Sequence, residues 1–166
     1  MNSPAMTVVR RVLVVDDSPD VQADFRKVLT PHDVACEALD ALESELFGGS
    51  ADEAELPTFA LELASQGREA LEIVKRAAAA GEFFAMAFVD VRMPPGWDGL
   101  ETIRRLWEVD PGLEIVVCTA YSDHSWRQIL SVTGHTDQLL ILKKPFQVDE
   151  ARQLALALST KRRLKD

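Results

Sequence analysis

Polar residues stand at the ends of short apolar runs in four places along this chain. Asp16 and Asp17 follow Arg11–Val15, Asp90 follows the run from Phe83 to Val89, Thr119 closes Glu114–Thr119, and Lys144 lies just beyond Leu139–Leu142. Taken alone, each is most simply a strand-end or helix cap. Together, in one crevice, they would do specific chemistry. Crowded carboxylates repel one another unless a cation sits among them, and an all-oxygen donor set suits a hard ion such as Mg²⁺. One carboxylate left free can attack phosphorus to give an acyl phosphate. A lysine and the metal would neutralise the equatorial oxygens of the transferring group, and a hydroxyl would hydrogen-bond one of them. Asp90, the lone acid on its strand, is the nucleophile in this scheme; Asp17 is the direct metal ligand, with Asp16 orienting or bound through water.

The elements between these residues decide whether they meet. Arg11–Val15 is a β-branched run that reads as a buried strand. Ser18-Pro19 looks like an N-cap with proline at the first helical position, opening a helix to about Thr30. Thr58–Ala64 alternates in strand fashion, and Gly67 to Gly81 reads as a helix. The apolar run from Phe83 into Asp90 is a core strand, because the prolines and glycines of Met93-Pro94-Pro95-Gly96-Trp97-Asp98-Gly99 force a turn after the carboxylate. Leu100, Ile103, Leu106 and Trp107 define the next helix. Glu114–Thr119 is a fourth strand, Asp123 to Gly134 a helix, Leu139–Leu142 a fifth strand and Gln147 to about Leu164 a final helix.

Strands alternating with helices predict an α/β fold, a doubly wound five-stranded parallel sheet of the flavodoxin-like order 2-1-3-4-5. That order gathers the strand exits into one crevice. The length of 166 residues fits one domain, with a core over about 10–158, an acidic insert over about 33–57 and a helical extension over about 159–166. The insert carries eight acidic residues and no Lys or Arg between Asp33 and Pro57, with Ala35, Ala38, Leu39, Leu42 and Leu46 at helical spacing.

A net charge of -9 disfavours direct nucleic-acid binding, and the basic tail Lys161, Arg162, Arg163 and Lys165 is too short to reverse that. No apolar run reaches membrane-spanning length and Met1–Val9 lacks the character of a secretory signal, so a cytoplasmic location is expected. Cys36 and Cys118 sit in unlike contexts and do not suggest a disulfide scaffold. His32, His124 and His135 lack metal-ligand spacing, and Trp97, Trp107 and Trp126 read as packing residues.

The set Val14-Val15-Asp16-Asp17, Val89-Asp90-Val91-Arg92-Met93-Pro94, Thr119-Ala120 and Lys144-Pro145-Phe146 closely resembles the receiver domain of two-component response regulators, over Arg11 to about Leu158. The resemblance implies a phosphoacceptor role for Asp90 and Mg²⁺ binding by Asp16, Asp17, Asp90 and the main-chain carbonyl of Arg92. It further implies phosphate contacts from Thr119 and Lys144, and a cis Lys144–Pro145 bond. A phosphorylation-dependent signalling switch rather than an enzyme is then expected. Its partners would be a histidine kinase or phosphotransfer protein, a downstream output domain or protein, and a second copy of the chain. Members sharing the Pro-Pro-Gly-Trp-Asp-Gly loop often precede kinase or nucleotide-cyclase outputs. Three features depart from the family pattern: a loop one residue longer after Asp90, Ile141 where an aromatic switch residue is usual, and the acidic insert. Tyr121 is a candidate substitute for that switch. A pseudo-receiver interaction module is one alternative. A haloacid-dehalogenase-like phosphatase is another, although its second acid would fall at Arg92.

Overall fold

In a computed structural model of the chain, residues 9–29, 59–120, 126–134 and 136–165 are described. Five strands, β1 (Arg10–Val15), β2 (Phe59–Ala64), β3 (Met86–Asp90), β4 (Glu114–Thr119) and β5 (Leu139–Lys143), pair in parallel in the order β2-β1-β3-β4-β5. The helices between them are α1 (Pro19–Leu29), α2 (Gly67–Ala79), α3 (Gly99–Val109), α4 (Trp126–Thr133) and α5 (Val148–Lys165). The doubly wound sheet expected from the sequence is therefore the observed one. The expected helix of the acidic insert, Tyr121, Asp123, Cys36 and the three histidines lie outside the described residues.

Strand residues alternate between two cores, as the pleat requires. Leu13, Val15, Ala87, Val89, Ile115 and Val117 face α2 and α3, where Ala70, Val74, Leu100, Ile103 and Leu106 cover them. Val12, Val14, Met86, Phe88, Val116 and Cys118 face α1 and α5, packed by Phe25, Val28, Ala151, Ala155 and Leu158. The Phe25 ring lies 4.7 Å from Phe88 and 5.3 Å from Phe146, tying α1 to the sheet and to the loop after β5. Among the described residues no helix is long and apolar enough to cross a membrane.

One expectation needs correction. The third strand starts at Met86 rather than Phe83: Gly81, at φ 71, turns the chain out of α2, Phe83 is exposed, and the ladder begins only after the Ala85 amide reaches the Arg11 carbonyl. The helical extension carrying the basic tail packs against the body of the fold. Lys161 and Lys165 lie 3.2 and 3.3 Å from Glu114, the fully buried first residue of β4, and Arg162 pairs with buried Asp110 at 3.0 Å. These pairs fasten the end of α5 to the base of the sheet. A buried carboxylate stripped of its partners is strongly destabilising. Replacing both Lys161 and Lys165 by alanine is therefore expected to cost about 3 kcal/mol, read as a lower urea midpoint, with Glu114→Gln in the same background recovering much of the loss.

Candidate functional site

The carboxyl ends of β1, β3, β4 and β5 form one rim, and each site residue reaches it by a local device. Asp16 continues β1: its amide bonds to the Ala64 carbonyl at 3.0 Å, and one carboxylate oxygen accepts from the Ser18 amide at 2.9 Å. Its own carbonyl accepts from the Gln22 side chain. Ser18 immediately precedes α1, with its hydroxyl 3.5 Å from the Val21 amide, so the turn that leads into the helix also aims Asp16. Asp17, next along, is exposed.

Asp90 ends β3, buried and paired across the ladder with Cys118. The chain then turns back at once. The Val91 amide bonds to the Cys118 carbonyl at 3.1 Å and the Gly99 amide to the Val91 carbonyl at 2.7 Å. Glycine is required at 99, because a Cβ there would collide with the Asp90 carbonyl. Asp98 caps α3 by accepting from the Glu101 amide at 2.8 Å. The Pro94–Pro95 and Lys144–Pro145 peptides are both cis.

Lys144 is the keystone of the cluster. Its ammonium lies 3.1 Å from Asp16 and 3.3 Å from Asp90, bridging two strands that flank each other in the sheet. Its amide donates to the Thr119 carbonyl at 2.8 Å, so β4 holds the base of the residue whose tip reaches the acids. Thr119, one residue past Cys118, is buried, and its hydroxyl donates to the Ala120 carbonyl at 2.9 Å. Lys143, by contrast, pairs with Thr119 across the ladder and is exposed, which distinguishes the two lysines.

Carboxylate oxygens of Asp16, Asp17 and Asp90 all lie within 4.8 Å of one another. Oxygens bound to one Mg²⁺ at about 2.1 Å are at most about 4.2 Å apart, so a small inward movement would let all three reach a single ion. The donor set, oxygen alone with one member open to water, fits such an ion and leaves room for a further ligand.

Electrostatics record the crowding. Burial, then the neighbouring Asp16 charge, raise the Asp90 carboxyl above its ordinary value; Lys144 and a main-chain hydrogen bond at Arg92 oppose the rise without cancelling it. Burial works against the Lys144 ammonium, but Asp16 and Asp90 outweigh it and hold its pKa above the usual lysine value. Cys118, fully buried behind this rim, is pushed well up by desolvation and is no thiolate nucleophile.

Comparison with known proteins decides the family. The family model of the response regulator receiver domain matches residues 51–156. The chain belongs to that family. The matched span holds Asp90, Thr119 and Lys144, while Asp16 and Asp17 precede it and join the site through the sheet. Among curated proteins the chain is similar to sporulation initiation phosphotransferase F of Bacillus subtilis (strain 168), at 30% identity over 89 residues. That alignment covers 54% of this chain and 64% of the relative, so it spans less than two thirds of its length. Two solved structures share the fold. One is a CheY-like receiver domain protein from Methanospirillum hungatei JF-1, with TM-score 0.66 and 18% identity over 96% of this chain and all of that one. The other is described as adenylate cyclase from Rhodopirellula baltica, with TM-score 0.61 and 23% identity over 95% of this chain and 92% of that one. Receiver domains are generally signalling domains rather than catalysts.

The structure brings together the three carboxylates and the lysine, Lys144, that the sequence singles out. The sequence does not reveal that Thr119 spends its hydroxyl on Ala120, nor that Ile141 is half-buried against the core below α3 and α4. The raised Asp90 pKa yields a stability test. A carboxyl whose folded pKa lies above its unfolded value loses stability as pH rises through that range. Without divalent metal, Asp90→Asn is therefore expected to melt above wild type at neutral pH, the advantage fading as the pH falls from the raised Asp90 value toward the ordinary carboxylate range and gone below it, as thermal melts across pH would record.

Proposed function

We propose that this receiver domain is a phosphorylation-dependent switch in which Asp90 accepts a phosphoryl group from a phosphohistidine on a histidine kinase or phosphotransfer protein. The observation that carries this reading is the Lys144 ammonium set between Asp16 and Asp90, with Asp17 completing a three-carboxylate cluster. An Asp90 Oδ forms the new bond to phosphorus as the donor's N–P bond breaks, and the imidazole nitrogen leaves with the electron pair. Asp16, Asp17, Asp90 and the Arg92 carbonyl would hold Mg²⁺, which when bound supplies positive charge to the oxygens of the transferring group. Lys144 exchanges its Asp90 contact for a phosphate oxygen. The Thr119 hydroxyl leaves Ala120 to donate to another, drawing the chain after β4 toward the rim.

A hollow of about 680 Å³, lined by residues of α1 together with Ala120, Lys144, Pro145 and Phe146, offers a donor side chain a route to the site. The span 1–166 is read as one receiver unit acting in the cytoplasm, controlling an output domain or protein. The cyclase description of one fold neighbour supports an output of that kind.

Incubation with acetyl phosphate and Mg²⁺ is expected to add one phosphoryl group to the intact mass. A chelator, or Asp90→Ala, should abolish the gain. Modification that persists in Asp90→Ala would move the acceptor elsewhere, and an unmodified wild type that binds no Mg²⁺ would favour an interaction module over a switch.

A further inference from the structure

Between Val91 and Gly99 the chain leaves the acceptor, turns, and enters α3 through a loop one residue longer than the usual family form. Its two ends are fastened: the Val91 amide to Cys118, the Gly99 amide to Val91, and Met93 buried in the core. The middle, Pro94-Pro95-Gly96, is exposed. Trp97 comes next and is half-buried, a large ring turned back toward the protein at the tip of an exposed turn.

Trp97 makes contacts to two helices. Its six-membered ring lies over Gly67 at the start of α2, close enough that a Cβ at 67 would sit 3.2 Å from Cε3 and would also strike Thr102 of α3. Two guanidinium groups approach the ring, Arg68 of α2 at 5.3 Å and Arg105 of α3 at 5.1 Å from its centroid. Cations at that range are attracted by the indole face. Arg105 is itself held by Glu101, 2.8 Å away, whose carboxyl is pulled down to about 2 by Arg104 and Arg105. Gly96 packs beside Gln66, where a Cβ would lie 2.7 Å from Oε1. The loop is thus gripped at its centre by side chains from both flanking helices as well as at its ends.

We infer that Trp97 is a positioning residue for the acidic cleft: its ring, seated on Gly67 between Arg68 and Arg105, holds the lengthened loop so that the Arg92 main chain stays beside Asp90. This rests on the reading of the cleft as a Mg²⁺ site, and it concerns a side chain that touches neither ion nor phosphate. Groups outside the ligand shell that orient ligands are worth about 10- to 100-fold in metal affinity.

Two measurements on the metal-free full chain separate the inference from the reading beneath it. Amide hydrogen exchange at Val91, Arg92 and Gly99 is expected to speed up in Trp97→Ala and stay near wild type in Trp97→Phe, which keeps a ring for both arginines. Calorimetric titration with MgCl₂ is expected to show Trp97→Ala about 10-fold weaker than wild type, with Trp97→Phe close to it. The double variant Arg68→Ala/Arg105→Ala should shift both readouts in the same sense as Trp97→Ala and carries the test if that variant fails to fold. Unchanged exchange and unchanged affinity overturn the inference, as does an equal loss in Trp97→Ala and Trp97→Phe. A wild type that binds no Mg²⁺ while Trp97→Ala still loosens the loop would sink the metal reading and leave the positioning role standing.

Discussion

Three carboxylates held within 4.8 Å of one another cannot all be charged, buried and unpartnered. The arrangement persists because the Lys144 ammonium is driven between two of them and Asp17 stays in contact with water. The rest of the fold serves this compromise. Neighbouring β1 and β3 bring Asp16 and Asp90 side by side, β4 lies next to β3, and a hydrogen bond to β4 sets the root of the lysine. The two hydrophobic layers make the strands rigid enough that four separate pieces of chain keep fixed spacing at their ends.

Most of this is legible in the order of the residues. Buried parallel strands read as continuous branched runs, and the residue that breaks each run marks its exit, so Asp16, Asp17, Asp90, Thr119 and Lys144 stand out by position. Ser18-Pro19 and Asp98-Gly99 carry their capping chemistry in their identities. The hidden part depends on long-range pairing. Glu114 reads as an ordinary polar start to a strand, yet it is fully buried and answered by lysines more than forty residues away. Spacing alone gives no hint of such a contact. Phe83 belongs to the apolar run but not to the third strand, because apolar character does not distinguish a ladder residue from one that turns outward.

The family match and the structure contribute different halves of the site. The matched residues contain Asp90, Thr119 and Lys144, whereas the Asp16-Asp17 pair follows β1 and precedes that span, with α1 and most of the acidic segment between them. Backbone pairing restores the connection: β1 sits between β2 and β3, inside the sheet rather than at its edge. A hydrogen-bonded ladder is indifferent to how much chain runs between its members, provided the closure entropy is met, and that entropy grows only logarithmically with length.

That indifference has a geographical side. α1 starts at the carboxylate rim and carries the chain back to the amino-terminal pole of the sheet, where Leu29 ends the helix and Phe59 opens β2. Both attachment points of the intervening stretch are therefore at the pole away from the chemistry. Descendants of this chain can lengthen, shorten or rewrite that stretch, or graft a new module into it, while the anchors that fix Asp16 and Asp90 at the opposite pole keep their places.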